Sequence, residues 1–237
     1  VSAAENSEES LIAFKTKHLN QWMDKAMTWI PSRTWDNPKT FTLEDFKGQK
    51  AYYGLDLSSV SDLTNLTLVF KRDEKIYVFQ KYYIPEENIK KRVEHDRVPY
   101  LDWIRDGHLT ATKGNRVDYS YIEKDIIALH QDHPIDFLGF DQWNSNYLIT
   151  RLEKEDIETV AVVQGFKTLS PACKLIEVMA GDNNIVHNNN PILAWCLDNV
   201  VLTKDDNENV RPSKKNSIEK IDGVAGLLNA MVLYILD

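Results

Sequence analysis

The sequence predicts an α/β fold: a mixed central sheet, built as an antiparallel meander and then parallel strands, flanked by helices. Two observations carry that prediction. Three β-rich runs, "KAYYGLDLS", "TNLTLVFKR" and "KIYVFQKYYI", follow one another, and the tight turn around Asp73-Glu74 makes the last two antiparallel neighbours. From Asp118 onward, helix-like and strand-like segments alternate, as in a parallel α/β half.

In chain order, residues 8–30 place Leu11, Phe14, His18, Trp22 and Trp29 at roughly helical spacing, and Pro31 ends the pattern. "PSRTWDNPKTF" reads as a loop with two prolines, so the compact domain is expected to begin near Phe41. After the meander come a helix-like stretch from Glu86 to His95 and a polar interval. "DYSYIEKDIIALHQDH" then reads as a helix and "IDFLGFD" as a short buried strand ending in Asp141. The remainder alternates: helix "NSNYLITRLEKE", strand "ETVAVVQ", helix "SPACKLIEVMA", a short strand near "NIVH", helix "NPILAWCLDN", strand "VVLTK" and a last helix "SIEKIDGVAGLLNAMVLYIL". "KDDNEN" reads as a solvated hairpin turn between "VVLT" and "VRPS".

Composition narrows the function classes. A chain of 237 residues, 43% hydrophobic and 27% charged, can bury a sizeable core as one domain with a short appendage. No apolar stretch approaches the roughly 20 residues of a membrane-spanning helix, and "VSAAENSEES" lacks the apolar segment of a secretory signal. No membrane partner is expected. Cys173 and Cys196, in apolar helix-like contexts without metal-ligand spacing, read as reduced core thiols rather than a disulfide, which fits a reducing cytoplasm. The 36 acidic and 28 basic residues, net −8, exclude coating of nucleic acid by bulk charge and leave room only for a local basic track. The six histidines show no ligand spacing, and His95, His108, His130, His133 and His187 read as surface or loop residues.

The chemistry centres on Asp56, a carboxylate inside an apolar strand. With the first strand beside the one ending at Asp141, the two carboxylates become neighbours. Asp222 adds a third: it occupies the first turn of the last helix and shares a small face with Ala225, Gly226 and Asn229, while Ile221, Val224, Leu228, Met231 and Val232 form an adjoining apolar stripe. Three such carboxylates repel one another unless a cation joins them, and the all-oxygen set suits Mg²⁺ or Mn²⁺. Taken singly, each acid has a plainer reading. Asp141 reads equally as a helix cap or lysine partner, and Asp222 as a charge complementing the helix dipole. Asp62 is a turn acid or a secondary metal or DNA contact, and Trp143 a packing residue or part of the cleft lining.

The stretches "YYGLDLSSVSDLTNLTLVF", "GFDQWNSNYLITRLEKEDIETVAVVQGFKTLSPACKLIE", "NNNPILAWCLDNVVLTKDDNENVRPSKKNSIEKIDGVAGLLNAM" and the entry "FKTKHLNQW" together resemble the C-terminal nuclease domain of the large terminase subunit of tailed bacteriophages, from about Lys15 onward. The resemblance implies a ribonuclease-H-like fold and a two-metal endonuclease that cuts concatemeric double-stranded viral DNA during genome packaging. It places the family's three acids on Asp56, Asp141 and Asp222, with Asp56 bridging two Mg²⁺ or Mn²⁺ ions. The phosphate loop of the family's packaging ATPase, "GxxxxGK[ST]", is missing. Residues 1–40 are accordingly expected to be a linker helix and connector from an upstream ATPase domain in cis, and residues 41–237 the nuclease domain. The small terminase subunit and the portal are the further partners implied, and the cytoplasm of an infected bacterium is the implied location. In "RPSKKNSIEK", residues Arg211, Lys214, Lys215 and Lys220 flank the proposed site and are candidates for DNA phosphate contacts; a solvated loop is the alternative. Two other functions stay open: a docking module of the packaging motor with vestigial nuclease activity, and, on the loose likeness of "DLSSVSD" to a phosphate-binding hairpin, an actin-like ATPase.

Overall fold

In a computed structural model, which describes residues 29–58, 63–142, 145–214, 216–217 and 219–237, the sheet is built outward from a central strand, β1 (Ala51–Asp56). β2 (Thr64–Arg72) runs antiparallel along one side of β1, and β3 (Lys75–Pro85) antiparallel beside β2. The β2–β3 turn puts Asp73 at φ 56°, in the left-handed region where aspartate is better tolerated than most side chains. β5 (Ile135–Phe140) lies parallel on the other side of β1, and β6 (Thr159–Ala161) parallel beyond it. β4 (Thr110–Thr112) and β7 (Ile185–Val186) both pair in parallel with β3, at different points along it. The predicted antiparallel meander and parallel half are thus both present, in the order β4-β3-β2-β1-β5-β6.

Helices cover both faces. On one, α4 (Tyr119–Asp132) and α5 (Asn146–Glu153) bury Ile122, Ile126, Leu148 and Leu152 against Tyr53, Leu55, Leu66, Leu68 and Phe70. On the other lie α6 (Phe166–Gly181), α7 (Pro191–Asn199) and α8 (Asp222–Leu236), with the predicted stripe Ile221, Val224, Leu228, Met231 and Val232 buried throughout. α8 packs foremost on β1 and β2. It crosses the sheet with almost no side chain between backbones. A Cβ on Gly54 would collide with the Gly226 carbonyl oxygen and stand 2.6 Å from the Ala230 nitrogen. A Cβ on Gly139 of β5 would stand 2.6 Å from the Asn229 carbonyl oxygen.

Several elements depart from the sequence reading. The proline-bounded loop contains a short helix, α1 (Ser32–Trp35), and Trp29, Ile30 and Trp35 are buried in the main core. The polar interval after α2 (Ile89–Asp96) holds α3 (Tyr100–Arg105) and β4. Six- and three-residue elements are too short for periodicity to register, and Tyr100 and Trp103 are held by tertiary packing. α6 starts ahead of Pro171, which had read as part of its first turn. "VVLTK" does not join the central sheet: among the described residues, β8 (Leu202–Lys204) pairs only with β9 (Val210–Pro212), in the predicted hairpin. The last helix begins at Asp222 rather than Ser217. His133 and His187 are core residues. His133 Nδ1 lies 3.0 Å from the Phe46 carbonyl, while His187 Nε2 lies 2.6 Å from the Trp35 carbonyl and its ring stacks on Trp35. Burial holds the His187 imidazole below its usual pKa. Up to residue 28, the helix predicted over 8–30 lies outside the described residues, as do Asp62, Trp143 and Lys215.

Replacing Gly54 by alanine should lower stability by about 1–3 kcal/mol, because backbone atoms of α8 must move to admit the methyl group. Urea unfolding checks this; an unchanged midpoint would mean that helix and strand are not in backbone contact.

Candidate functional site

Asp56 is the last residue of β1 and is only 5% exposed. Alternation along the strand puts it on the same face as Gly54, the face that α8 covers. Leu55 pairs with Phe140, so Asp56 and Asp141 are the next residues of two adjacent parallel strands as they leave the sheet. Asp222 is the first residue of α8 and is half-buried. The topology therefore places Asp56 and Asp141 at one end of two adjacent parallel strands, and Asp222 at the start of the helix that crosses them. The donor set, three carboxylates, matches what a hard divalent cation takes. Among the described residues, no group of three or more histidine, cysteine or acidic side chains is arranged so that it could hold a metal ion.

Neighbouring groups sense these charges. The Cys196 thiol on α7 is pushed well up by burial, and next by the charges of Asp222 and Asp56, with the Gly223 backbone acting against the rise. A single side chain therefore feels both carboxylates. Burial raises Tyr82, with Cys196 and Asp222 contributing further, and burial followed by Asp56 raises Tyr119. The backbone on both sides of Asp56 is anchored. The Tyr119 hydroxyl donates to the Ser58 carbonyl at 2.8 Å, and the Ser58 amide donates to Thr64 Oγ1 at 3.1 Å. Asn229, 1% exposed, donates from Nδ2 to the Leu55 carbonyl at 2.9 Å and accepts from Gln164 Nε2 at 3.0 Å.

Of the basic candidates, Lys214 is exposed. Arg211 on β9 is half-buried: its Nη1 donates to the Gln164 carbonyl at 2.9 Å, and its guanidinium lies 4.8 Å from the Phe166 ring centre. Lys220 is partly buried, 3.9 Å from the Asp96 carboxylate and 6.0 Å from the Tyr100 ring centre. Tyr119 and Gln164 escaped the sequence reading. Tyr119 opens a helix with no pattern tying it to Asp56, and Gln164 lies in a strand-to-helix link.

The comparisons with known proteins bear on this geometry. The family model described as "Terminase large subunit, endonuclease domain" matches residues 1–236. The chain belongs to that terminase family. It is 28% identical to Protein YmfN of Escherichia coli K12 over 241 residues (96% of this chain, 53% of that protein), and 29% identical to the large terminase subunit of Enterobacteria phage HK97 over 221 residues (90% and 43%). The chain thus spans about half the length of these curated relatives. The crystal structure of the HK97 large terminase superposes with a TM-score of 0.78 at 27% identity, covering 98% of this chain and 49% of that one. The large terminase nuclease of thermophilic phage G20c gives 0.52 at 12% identity (77% and 81%), a likeness of fold. The terminase domain is therefore a ribonuclease-H-like mixed sheet flanked by helices, as the resemblance implied.

Asn229→Ala should destabilise this terminase domain by about 1–3 kcal/mol, since it removes a buried donor from the Leu55 carbonyl. Denaturant unfolding reads the change; a loss below about 0.5 kcal/mol would show that the bond carries no net stabilisation.

Proposed function

We propose that this domain is a metal-dependent endonuclease that cuts concatemeric double-stranded viral DNA during genome packaging, with Asp56, Asp141 and Asp222 as the metal ligands. The observation that supports the reading is membership of the terminase endonuclease family, together with Asp56 and Asp141 following paired residues of adjacent parallel strands and Asp222 opening the helix packed on β1. A pair of bound Mg²⁺ or Mn²⁺ ions would supply an activated water for in-line attack and stabilise the departing 3′ oxygen. The chain's own part would be to hold the ions: Asp56, with the backbone on either side of it fixed by hydrogen bonds, would be the central ligand, and Asp141 and Asp222 would complete the set. The G20c nuclease has been solved with bound magnesium, on a fold that matches this one at a TM-score of 0.50 and 12% identity.

Residues 1–40 are the proposed link to an ATPase domain in cis, anchored at their C-terminal end by Trp29, Ile30 and Trp35 in the nuclease core. The small terminase subunit and the portal are proposed as further partners, in the cytoplasm of an infected bacterium. Among the described residues, no helix is long and apolar enough to cross a membrane. Arg211, Lys214, Lys215 and Lys220 are the proposed phosphate contacts.

Supercoiled plasmid should be cut with little sequence preference in Mn²⁺ or Mg²⁺ and left intact in excess EDTA; cleavage persisting in chelator rules out the metal mechanism. Asp56→Asn, Asp141→Asn and Asp222→Asn should each lower the rate roughly a hundredfold or more. In metal-free buffer none should melt below the parent, because each removes a repelling charge. A variant cutting at the parental rate is not a ligand, and a folded parent that never cuts DNA points instead to a docking module.

Lys214→Ala with Lys215→Ala should weaken DNA binding without sequence bias and flatten its salt dependence, by about one slope unit per lost contact. Fluorescence anisotropy at two salt concentrations reads both effects. Parental binding at both would turn this loop toward another motor component.

A further inference from the structure

Where α8 covers the sheet near the site, the covered face is polar. Asn65 and Thr67 on β2 and Gln80 and Tyr82 on β3 are all buried there. They form one connected set. The Tyr82 hydroxyl donates to Gln80 Oε1, and Gln80 Nε2 donates both to Thr67 Oγ1 at 2.7 Å and to the Gly223 carbonyl at 2.8 Å. The Thr67 hydroxyl donates to Asn65 Oδ1 at 2.6 Å, and Asn65 Nδ2 donates to the Lys81 carbonyl at 3.3 Å. None of these side-chain polar atoms is left buried without a partner.

Such a set adds little net stability, because its bonds replace bonds to water; apolar side chains of the same shape would serve a core about as well. Its distinctive property is direction. Hydrogen bonds of this length tolerate only small displacements, whereas apolar contacts let a helix slide or roll. The two ends of the set are informative. Gln80 grips the carbonyl of Gly223, the residue after Asp222, and Asn65 is the cross-strand partner of Asp56. The helix is cut to fit. A Cβ on Gly223 would collide with the Tyr82 hydroxyl, and one on Gly226 with Asn65 Oδ1, so these two glycines, one turn apart, seat directly on the polar platform.

We propose that Asn65, Thr67, Gln80 and Tyr82 are positioning residues of the nuclease site, fixing the axial and rotational setting of the first turn of α8 so that Asp222 is held close to Asp56 against their mutual repulsion. This rests on the nuclease reading above. It separates function from stability in an unusual way: loosening the platform should cost metal affinity while leaving the fold nearly as stable.

The test is the double variant Gln80→Met with Tyr82→Phe, which removes the grip on Gly223 without stranding the tyrosine hydroxyl. Gly223 keeps its intrahelical partner, and Thr67 still donates to Asn65. The melting temperature without metal should stay within about 4 °C of the parent. The Mn²⁺ dissociation constant, measured by calorimetry on the metal-free domain, should rise about tenfold or more, as for residues that orient metal ligands. At saturating Mn²⁺, kcat should fall with KM for DNA unchanged. Tyr82→Phe alone, which keeps both Gln80 donors but frees Gln80 Oε1, should raise the Mn²⁺ dissociation constant less than the double variant does. Should the double variant fail to fold, Gln80→Leu with Tyr82→Phe, which also leaves no tyrosine hydroxyl stranded, is held to the same criterion. A folded variant with parental Mn²⁺ affinity overturns the inference, as does an affinity that falls only in step with melting temperature. A parent that binds no Mn²⁺ overturns the nuclease reading itself, and this inference with it.

Discussion

The site depends on one close contact, the laying of α8 against β1 with backbone on backbone. Glycine makes it possible from both sides, Gly54 beneath Gly226 and Ala230, and Gly139 beneath Asn229. Were ordinary side chains interposed, the helix would ride higher and its first residue, Asp222, would stand away from the strand end that carries Asp56. The contact also lets Asn229 reach the Leu55 carbonyl and close the ladder of β1 from above. Fold and the proposed chemistry meet at this crossing: what brings the helix down also sets where its first residue, Asp222, stands on the sheet.

The two faces of the sheet divide the work accordingly. Beneath α4 and α5 the packing is conventional, with Tyr53, Leu55, Leu66, Leu68 and Phe70 offering an apolar surface that stabilises mainly by excluding water. Beneath α8 the same strands present glycine, asparagine, threonine and glutamine. That face gives up apolar area and gains defined placement of the helix. Burying Asp56 in a central strand runs against its own desolvation, and its neighbours sense it: Cys196 and Tyr119 are harder to ionise chiefly because they are buried, with the Asp56 charge adding to the rise in both.

The sequence made the order of strands legible because long β-rich runs separated by turn residues announce themselves, and the alternating half followed for the same reason. It also exposed the acids, since a carboxylate amid "YYGLDL" breaks an apolar run and the small face beside Asp222 reads off helical spacing. The polar platform stayed hidden. In "TNLTLVF" the alternation of Asn65 and Thr67 with leucine looks like a strand with one face in water, and only the placement of α8 turns that face inward. His133 and His187 were misplaced for a related reason: their burial is earned by carbonyls of Phe46 and Trp35, residues far away in the chain. The shortest elements, α1, α3 and β4, exist because larger neighbours hold them, and a local pattern carries no trace of that.

The central claim is that Asp56, Asp141 and Asp222 form one metal site. Anomalous diffraction from crystals of the domain soaked in Mn²⁺ tests it most directly. The account predicts two anomalous peaks at the carboxyl ends of β1 and β5 beneath α8, both within bonding distance of Asp56, with Asp141 and Asp222 each bound to at least one of them. Manganese held elsewhere, or bound at this end of the sheet without Asp56, would contradict it.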